Sequence, residues 1–245
     1  MKKRLEHCII PDWPAPANVR TLQTTRLGGF SAAPYASLNL GGHVGDDPLA
    51  VARNRNSLNL LLPSEPVWLE QVHGTAVAEA DSAGCLVTAD ACIARHRASV
   101  CVVMTADCLP ILLCDEQGGV VGAVHAGWRG LCDGVIEATV HAMDVAPQRL
   151  MAWLGPAISR EFFEVGDEVR EAFLSVQPQA VSAFVAGSQG KWFADLYALA
   201  RQRLDTLGIA RIYGGTHCTY REGEQFYSYR RDGRTGRMGT FIWLA

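Results

Sequence analysis

The chain has 245 residues, of which 49% are hydrophobic and 19% charged, with a formal net charge of −3. That mixture excludes a disordered or fibrous protein, and the length is enough to bury a core without disulfides. Lys and Arg form no basic block, so neither a nucleic-acid partner nor an anionic membrane surface is indicated.

Lys2, Lys3 and Arg4 imitate the basic start of an export signal, but Glu6, His7, Pro11, Asp12 and Pro14 interrupt any apolar stretch of signal length. No window approaches the ~20 apolar residues of a membrane span. The expectation is a cytoplasmic protein. To about Asp47 the chain is rich in Gly, Pro and Asn and reads as short strands and turns. Residues 24–29 and 37–43 are polar, glycine-bearing segments of the kind that form exposed loops. Residues 48–62 read as a helix, with Asp46 or Asp47 as cap before Pro48.

Residues 67–72 read as a strand closing at His73-Gly74. Residues 99–105 and 109–114 are apolar and rich in β-branched residues, residues 115–119 form a turn, and residues 120–126 form another strand. Residues 131–145 place Val135, Ile136, Thr139, Val140 and Met143 at helical spacing, and Pro147 stops them. A strand at 150–154 precedes helices at 167–176 and 194–207. The second carries Leu196, Leu199, Ala200, Leu204 and Leu207 on one face and ends at Gly208. Residues 211–215 and 241–244 read as strands. The mixture without strict alternation indicates an α/β or α+β fold with mixed sheets.

Eight cysteines are present: Cys8, Cys85, Cys92, Cys101, Cys108, Cys114, Cys132 and Cys218. No C-x-x-C pair occurs, and several lie inside apolar runs, where free Cys packs as a small hydrophobe. A functional cysteine must therefore be identified by its neighbours. If residues 109–114 and 120–124 form a hairpin, Cys108 and His125 lie equally far from the bond between Glu116 and Gln117. Directly opposed residues have Cβ atoms ~5 Å apart, close enough to share one metal ion. A shift of the turn centre by one residue weakens this pairing without abolishing it. Pro110 cannot donate to a ladder, which predicts an edge or bulged strand.

His73 also closes an apolar strand, so His73, Cys108 and His125 form a candidate metal set. Three protein ligands leave a fourth position open, the arrangement of catalytic zinc. Against this stands the plain reading that a strand-end His is a hydrogen-bonded structural residue and a buried Cys is packing. Asp107 is a candidate acceptor that orients a ligand, or a turn residue.

The chain resembles the YfiH-type family, catalogued both as polyphenol oxidoreductase laccases and as zinc-dependent purine nucleoside phosphorylases. The matching residues run nearly end to end, so residues 1–245 are expected to form one catalytic domain. They are Thr24-Thr25-Arg26 with Gly28-Gly29, Ser37-Leu38-Asn39-Leu40 with His43-Val44-Gly45-Asp46-Asp47, Asn54-Arg55 and Gln71-Val72-His73-Gly74. Thr105-Ala106-Asp107-Cys108-Leu109-Pro110, His125-Ala126-Gly127-Trp128-Arg129-Gly130, Cys218-Thr219, Ser228-Tyr229-Arg230-Arg231-Asp232 and Thr235-Gly236-Arg237 continue the series. The resemblance implies that His73, Cys108 and His125 bind zinc, with copper the less favoured metal. It implies an αββα-type sandwich related to a cysteine-hydrolase fold. It also implies phosphorolysis of adenosine, inosine and methylthioadenosine, with adenosine deamination as a further activity. Residues 90–95 depart from the family by being more basic and less regular, which bears on a nearby loop only.

Purine nucleosides and phosphate are the expected partners, in a monomer or small homo-oligomer. Phosphate calls for a charge partner, and arginine suits its bidentate recognition. Arg129 follows His125 and is the first candidate, with Asp107 as the nearest proton carrier. Arg26, Arg55, Arg230 and Arg231 lie in the other motif loops. Asn39 and His43 either contact substrate or fix their own glycine-rich loop. A blue-copper laccase also uses two His and one Cys, but the chain has seven histidines and no His-x-His pair. A metal-free hydrolase with Cys108 as nucleophile and His125 as base is a second alternative, in keeping with editing of peptidoglycan precursors.

Overall fold

Side-chain alternation along the central strands sorts the interior into apolar layers. A computed structural model describes residues 6–82 and 87–245; the readings on Lys2, Lys3, Arg4 and Cys85 lie outside the described residues. In chain order the strands are β1 (Cys8–Ile9), β2 (Val19–Thr24), β3 (Leu69–Glu70), β4 (Val77–Glu79), β5 (Val87–Thr88), β6 (Ala91–Ala94), β7 (Cys101–Thr105) and β8 (Leu109–Asp115). They continue as β9 (Val121–Ala126), β10 (Leu150–Leu154), β11 (Glu164–Val165), β12 (Phe184–Ala186), β13 (Trp192–Ala194), β14 (Arg211–Gly214) and β15 (Met238–Leu244). A six-stranded sheet has the order β14-β10-β8-β9-β6-β4, and a four-stranded sheet the order β1-β2-β15-β7. β14 runs parallel to β10 and β4 parallel to β6, while β8 is antiparallel to both neighbours.

On β8, Leu109, Ile111 and Leu113 join one apolar cluster, and Leu112 and Cys114 join another. The first cluster includes Ile136 and Val140 of the Val135–Met143 helix and Leu199 and Leu204 of the Leu196–Thr206 helix. The second fills the space between the sheets, with Cys101 and Val103 of β7 and Ile242 and Leu244 of β15. The opposite faces of those strands, through Val102, Met104, Phe241 and Trp243, meet Leu58 of the Pro48–Leu58 helix. The order is helix, sheet, sheet, helix, an α/β fold with mixed sheets as the sequence indicates. Each fully buried Leu or Ile side chain contributes about 1.5–3 kcal/mol.

Several elements differ from their sequence reading for identifiable reasons. Pro110 lies on β8 in the middle of the six-stranded sheet, neither at an edge nor at a bulge. Its missing N–H falls at the end of the pairing with β10, where Pro110 accepts from the N–H of Gly155 at 2.9 Å. The Gly155 carbonyl accepts instead from the Tyr197 hydroxyl at 3.0 Å. The single helix expected at 131–145 is two, Trp128–Asp133 and Val135–Met143, because Gly134 between them adopts φ 102°. Of the strand expected at 67–72, Leu69–Glu70 forms a strand and Val67 an isolated bridge to Cys101, while residues 71–72 leave the sheet. Residues 90–95, more basic and less regular than the family's strand there, nevertheless contain β6, which is fully buried and paired to both β4 and β9. No helix among the described residues is long and apolar enough to cross a membrane.

Candidate metal centre

The β8–β9 register places Pro110 opposite His125 and Leu109 opposite Ala126. The turn therefore centres between Gln117 and Gly118, one residue later than the symmetric count. Cys108 falls across from Gly127, and His125 sits two residues along the same strand. Because side chains alternate with period two, Cys108 and His125 stay on one face as a diagonal pair. His73 reaches them from the turn after β3, where its backbone adopts φ 62°. One donor atom each from His73, Cys108 and His125 lies within 4.8 Å of the others. Cys108 Sγ is 3.8 Å from His73 Nε2, and the two imidazole centroids are 4.8 Å apart.

A tetrahedral ion bound to N and S at about 2.0–2.3 Å holds its donors roughly 3.3–3.8 Å apart. The three side chains need only a small inward movement to meet that geometry, and their donor set suits zinc or copper.

Asp90, completely buried just before β6, ties the site together. Its Oδ1 accepts from His125 Nδ1 at 2.8 Å and from the N–H of His73 at 2.9 Å. Oδ2 accepts from the N–H of Gly74 at 2.7 Å and of Val72 at 3.1 Å. This carboxylate fixes the His125 tautomer, leaving Nε2 for a metal, and holds the strained His73 turn. Burial pushes the Asp90 carboxyl up, but the His125 and backbone hydrogen bonds prevail and hold it below its usual value. Burial likewise opposes charge on Cys108 and His125. Their mutual attraction overrides it, lowering the thiol to about 6 and raising the imidazole to about 9. The sequence offers Asp107 as either an orienting acceptor or a turn residue and does not single out Asp90, although Asp90 is an acidic residue at the head of an apolar run.

Asp107 holds a different part of the structure. Its Oδ1 accepts from Thr219 Oγ1 and its Oδ2 from the N–H of Arg230, both at 2.6 Å. It thus anchors the C-terminal loops beside Cys108, with its own backbone at φ 92°. Gly127 has a steric reason to be glycine: a Cβ there would stand 2.7 Å from His73 Cδ2 and 3.2 Å from Cys108 Sγ.

The candidate phosphate ligands separate into two groups. Arg26 donates to the carbonyls of Ala36 and Gly223, and Arg55 donates twice to that of Leu40 while stacking on Trp68. Arg231 is bound by the carbonyls of Thr219, Tyr220 and Phe226 and by Asp232. Arg129 is exposed and lies over the Trp128 ring rather than among the triad residues. Asn39, fully buried, fixes its own loop by accepting from Gly41 and Arg237 and donating to Gly41 and Asp46.

Two cavities meet at Cys108. Arg230 borders one, and Nη1 of its guanidinium also ties down the carbonyls of Phe162 and Glu164. His43 lines the other together with all three triad residues and Arg237. Burial, with Arg237 and Arg55 nearby, holds the His43 imidazole below its usual pKa. Arg237, present in the Thr235-Gly236-Arg237 motif but not singled out from sequence, is thus the arginine that the fold brings beside the triad.

A family model described as multi-copper polyphenol oxidoreductase laccase matches residues 20–245. A Shigella flexneri protein named purine nucleoside phosphorylase YfiH is 53% identical over 96% of this chain and 98% of its own. Its Escherichia coli K12 counterpart, of the same name, is 52% identical with the same coverage. The crystal structure of Neisseria meningitidis protein NMB0706 superposes with a TM-score of 0.94 at 52% identity, covering 97% of this chain and 99% of that one. The chain therefore belongs to the multi-copper polyphenol oxidoreductase laccase family, the YfiH-type family that its motifs resemble.

Proposed function

We propose that the protein is a zinc-dependent purine nucleoside phosphorylase acting on adenosine, inosine and methylthioadenosine. The observation that carries this is the convergence of His73, Cys108 and His125 on one side of a cavity, in a chain whose relatives are named purine nucleoside phosphorylases. His73, Cys108 and His125 would hold the metal. When bound with a coordination position open, zinc supplies Lewis acidity beside the substrate. Asp90 orients His125 and braces the His73 turn, and Gly127 keeps the space in which the His73 imidazole and the Cys108 sulfur meet. Around the triad, His43 and Arg237 supply polar contacts for an anionic or hydroxylated ligand.

Adenosine deamination is the second activity assigned to this site. Asp107 is the carboxylate at the cavity adjoining Cys108, and its bonds to Thr219 and Arg230 must rearrange for it to carry a proton. Inosine formed from adenosine without phosphate is the corresponding readout, and its loss in Asp107→Asn is expected.

The family description supports a second reading, a copper-dependent polyphenol oxidase. A multi-copper centre needs several adjoining donor sets, and the described residues hold one cluster of three. A relation to cysteine hydrolases would instead make Cys108 a nucleophile beside His125, with peptidoglycan precursors as substrates. The deciding experiment is a phosphate-dependent assay with adenosine and inosine, run with metal analysis on wild type and on His73→Ala, Cys108→Ala and His125→Ala. Phosphorylase action predicts ribose 1-phosphate from wild type alone, with one zinc bound. Activity in metal-free protein, abolished by alkylating Cys108, favours the hydrolase. Phenol oxidation only after copper loading favours the oxidase.

A further inference from the structure

The two cavities that meet at Cys108 differ in chemistry. One, about 130 Å³, is walled mainly by Trp128, Ile158, Phe163 and Leu196, with Asp107 and Arg230, already hydrogen-bonded to other groups, at its border. The other, about 330 Å³, contains the triad together with Arg237, His43 and Thr105. Ala106, Cys108 and the exposed ring of Tyr229 border both.

Arg237 is a half-buried cation that forms no direct ion pair among the described residues, although Cys108 and Asp107 lie near enough to favour its charge. Its Nη1 donates to the carbonyls of Thr235 and Gly236, each at 3.0 Å, and its backbone N–H is fixed by Asn39. Among the described residues its guanidinium has no carboxylate partner. Thr105 is the second incomplete group: it is 1% exposed, and its Oγ1 has no hydrogen-bond partner among the described residues. A buried hydroxyl and a partly desolvated guanidinium in one cavity are both destabilising unless a ligand or water completes them.

We propose that Arg237, with Thr105 and His43, forms the phosphate subsite, and that the nucleoside base enters the apolar slot across Cys108 and Tyr229. This assignment rests on the phosphorylase reading. Phosphorolysis breaks the bond from ribose C1′ to the purine nitrogen and forms one from C1′ to a phosphate oxygen. The electron pair leaves with the base, and the proton of hydrogen phosphate ends on the base, so atoms and charge balance. Attack opposite the leaving base requires phosphate and base on opposite sides of the sugar. A cationic chamber and an aromatic slot sharing one wall meet that requirement. The guanidinium offers paired donors to phosphate oxygens, and Trp128 and Phe163 offer apolar ring surface to the base.

Steady-state kinetics of inosine phosphorolysis on zinc-replete protein tests the assignment through opposite effects on the two substrates. Arg237→Gln is expected to raise KM for phosphate at least about tenfold, the scale of a lost charge-assisted contact, with KM for inosine little changed. Phe163→Ala is expected to raise KM for inosine and leave that for phosphate. Thr105→Val, close in shape, keeps the test available if Arg237→Gln does not fold, and it should raise KM for phosphate alone. Unchanged phosphate KM in folded Arg237→Gln and Thr105→Val, or both KM values moving together in every variant, overturns the assignment. Calorimetric binding of inorganic phosphate separates the two levels of argument. If wild type binds phosphate through Arg237 but forms no ribose 1-phosphate, the anion subsite stands and the phosphorylase reading falls.

Discussion

Asp90 and His125 are joined at both backbone and side chain: His125 donates its N–H to the Asp90 carbonyl at 2.7 Å and its Nδ1–H to the Asp90 carboxylate at 2.8 Å. The same carboxylate collects the N–H groups of Val72, His73 and Gly74. One buried side chain therefore sets the direction of two of the three candidate metal donors.

Replacing Asp90 by Asn should weaken metal binding about 10–100-fold, the usual effect of losing a partner that orients a metal-bound His. Competition with a chelator of known affinity measures it. An unchanged affinity would show that the three donors hold their positions without Asp90.

The Cys108 thiol, brought down to about 6 against the effect of burial by His125 and His73, should react as a thiolate at neutral pH once metal is removed. A lowered thiol pKa means the anion is populated above about pH 6 and lost below it. Iodoacetamide labelling mapped to Cys108 in metal-stripped protein should therefore rise with a midpoint near 6. An ordinary thiol gives a midpoint near ~8.5, and that result would contradict the assigned environment. Bound metal should suppress the labelling.

Gly127→Ala should damage the centre without touching a donor atom, because its Cβ enters the space of the His73 ring and the Cys108 sulfur. A loss of about 1–3 kcal/mol is expected for such overpacking, together with reduced metal content. Denaturant unfolding and elemental analysis read the two effects, and normal values for both would mean that the His73 turn yields freely.

Asn39 answers to a stability measurement. Asn39→Ala leaves the N–H groups of Gly41 and Arg237 without their acceptor, which should cost about 1–3 kcal/mol while zinc content is retained. A variant as stable as wild type would contradict its role in fixing the loop.

The parts of the molecule that the sequence discloses are those with a long local period. The 167–176 helix has the expected bounds, and the apolar face at Leu196, Leu199, Ala200 and Leu204 is buried as its spacing indicates. Strands of two or three residues, such as β11, β12 and β13, are too short to display a period. Cys108 and His125 could be paired because a hairpin is a local object, and a misplaced turn by one residue preserves the face. The partnership of Asp90 with residues 72–74 and 125 spans three separate segments, so no local pattern announces it. Arg237 stood hidden for the same reason. Its relevance depends on how a C-terminal loop returns to the triad cavity, which Arg26, Arg55 and Arg231, with equally prominent motif positions, do not line.

The most direct test of the central claim is ribose 1-phosphate production from inosine and inorganic phosphate, followed through chelation and zinc restoration. Wild type should be active, lose activity as zinc is removed, and recover it in proportion to the zinc rebound, while His125→Ala stays inactive throughout. Full activity in zinc-free protein, or equal activity in His125→Ala, would contradict a metal-dependent phosphorylase built on His73, Cys108 and His125.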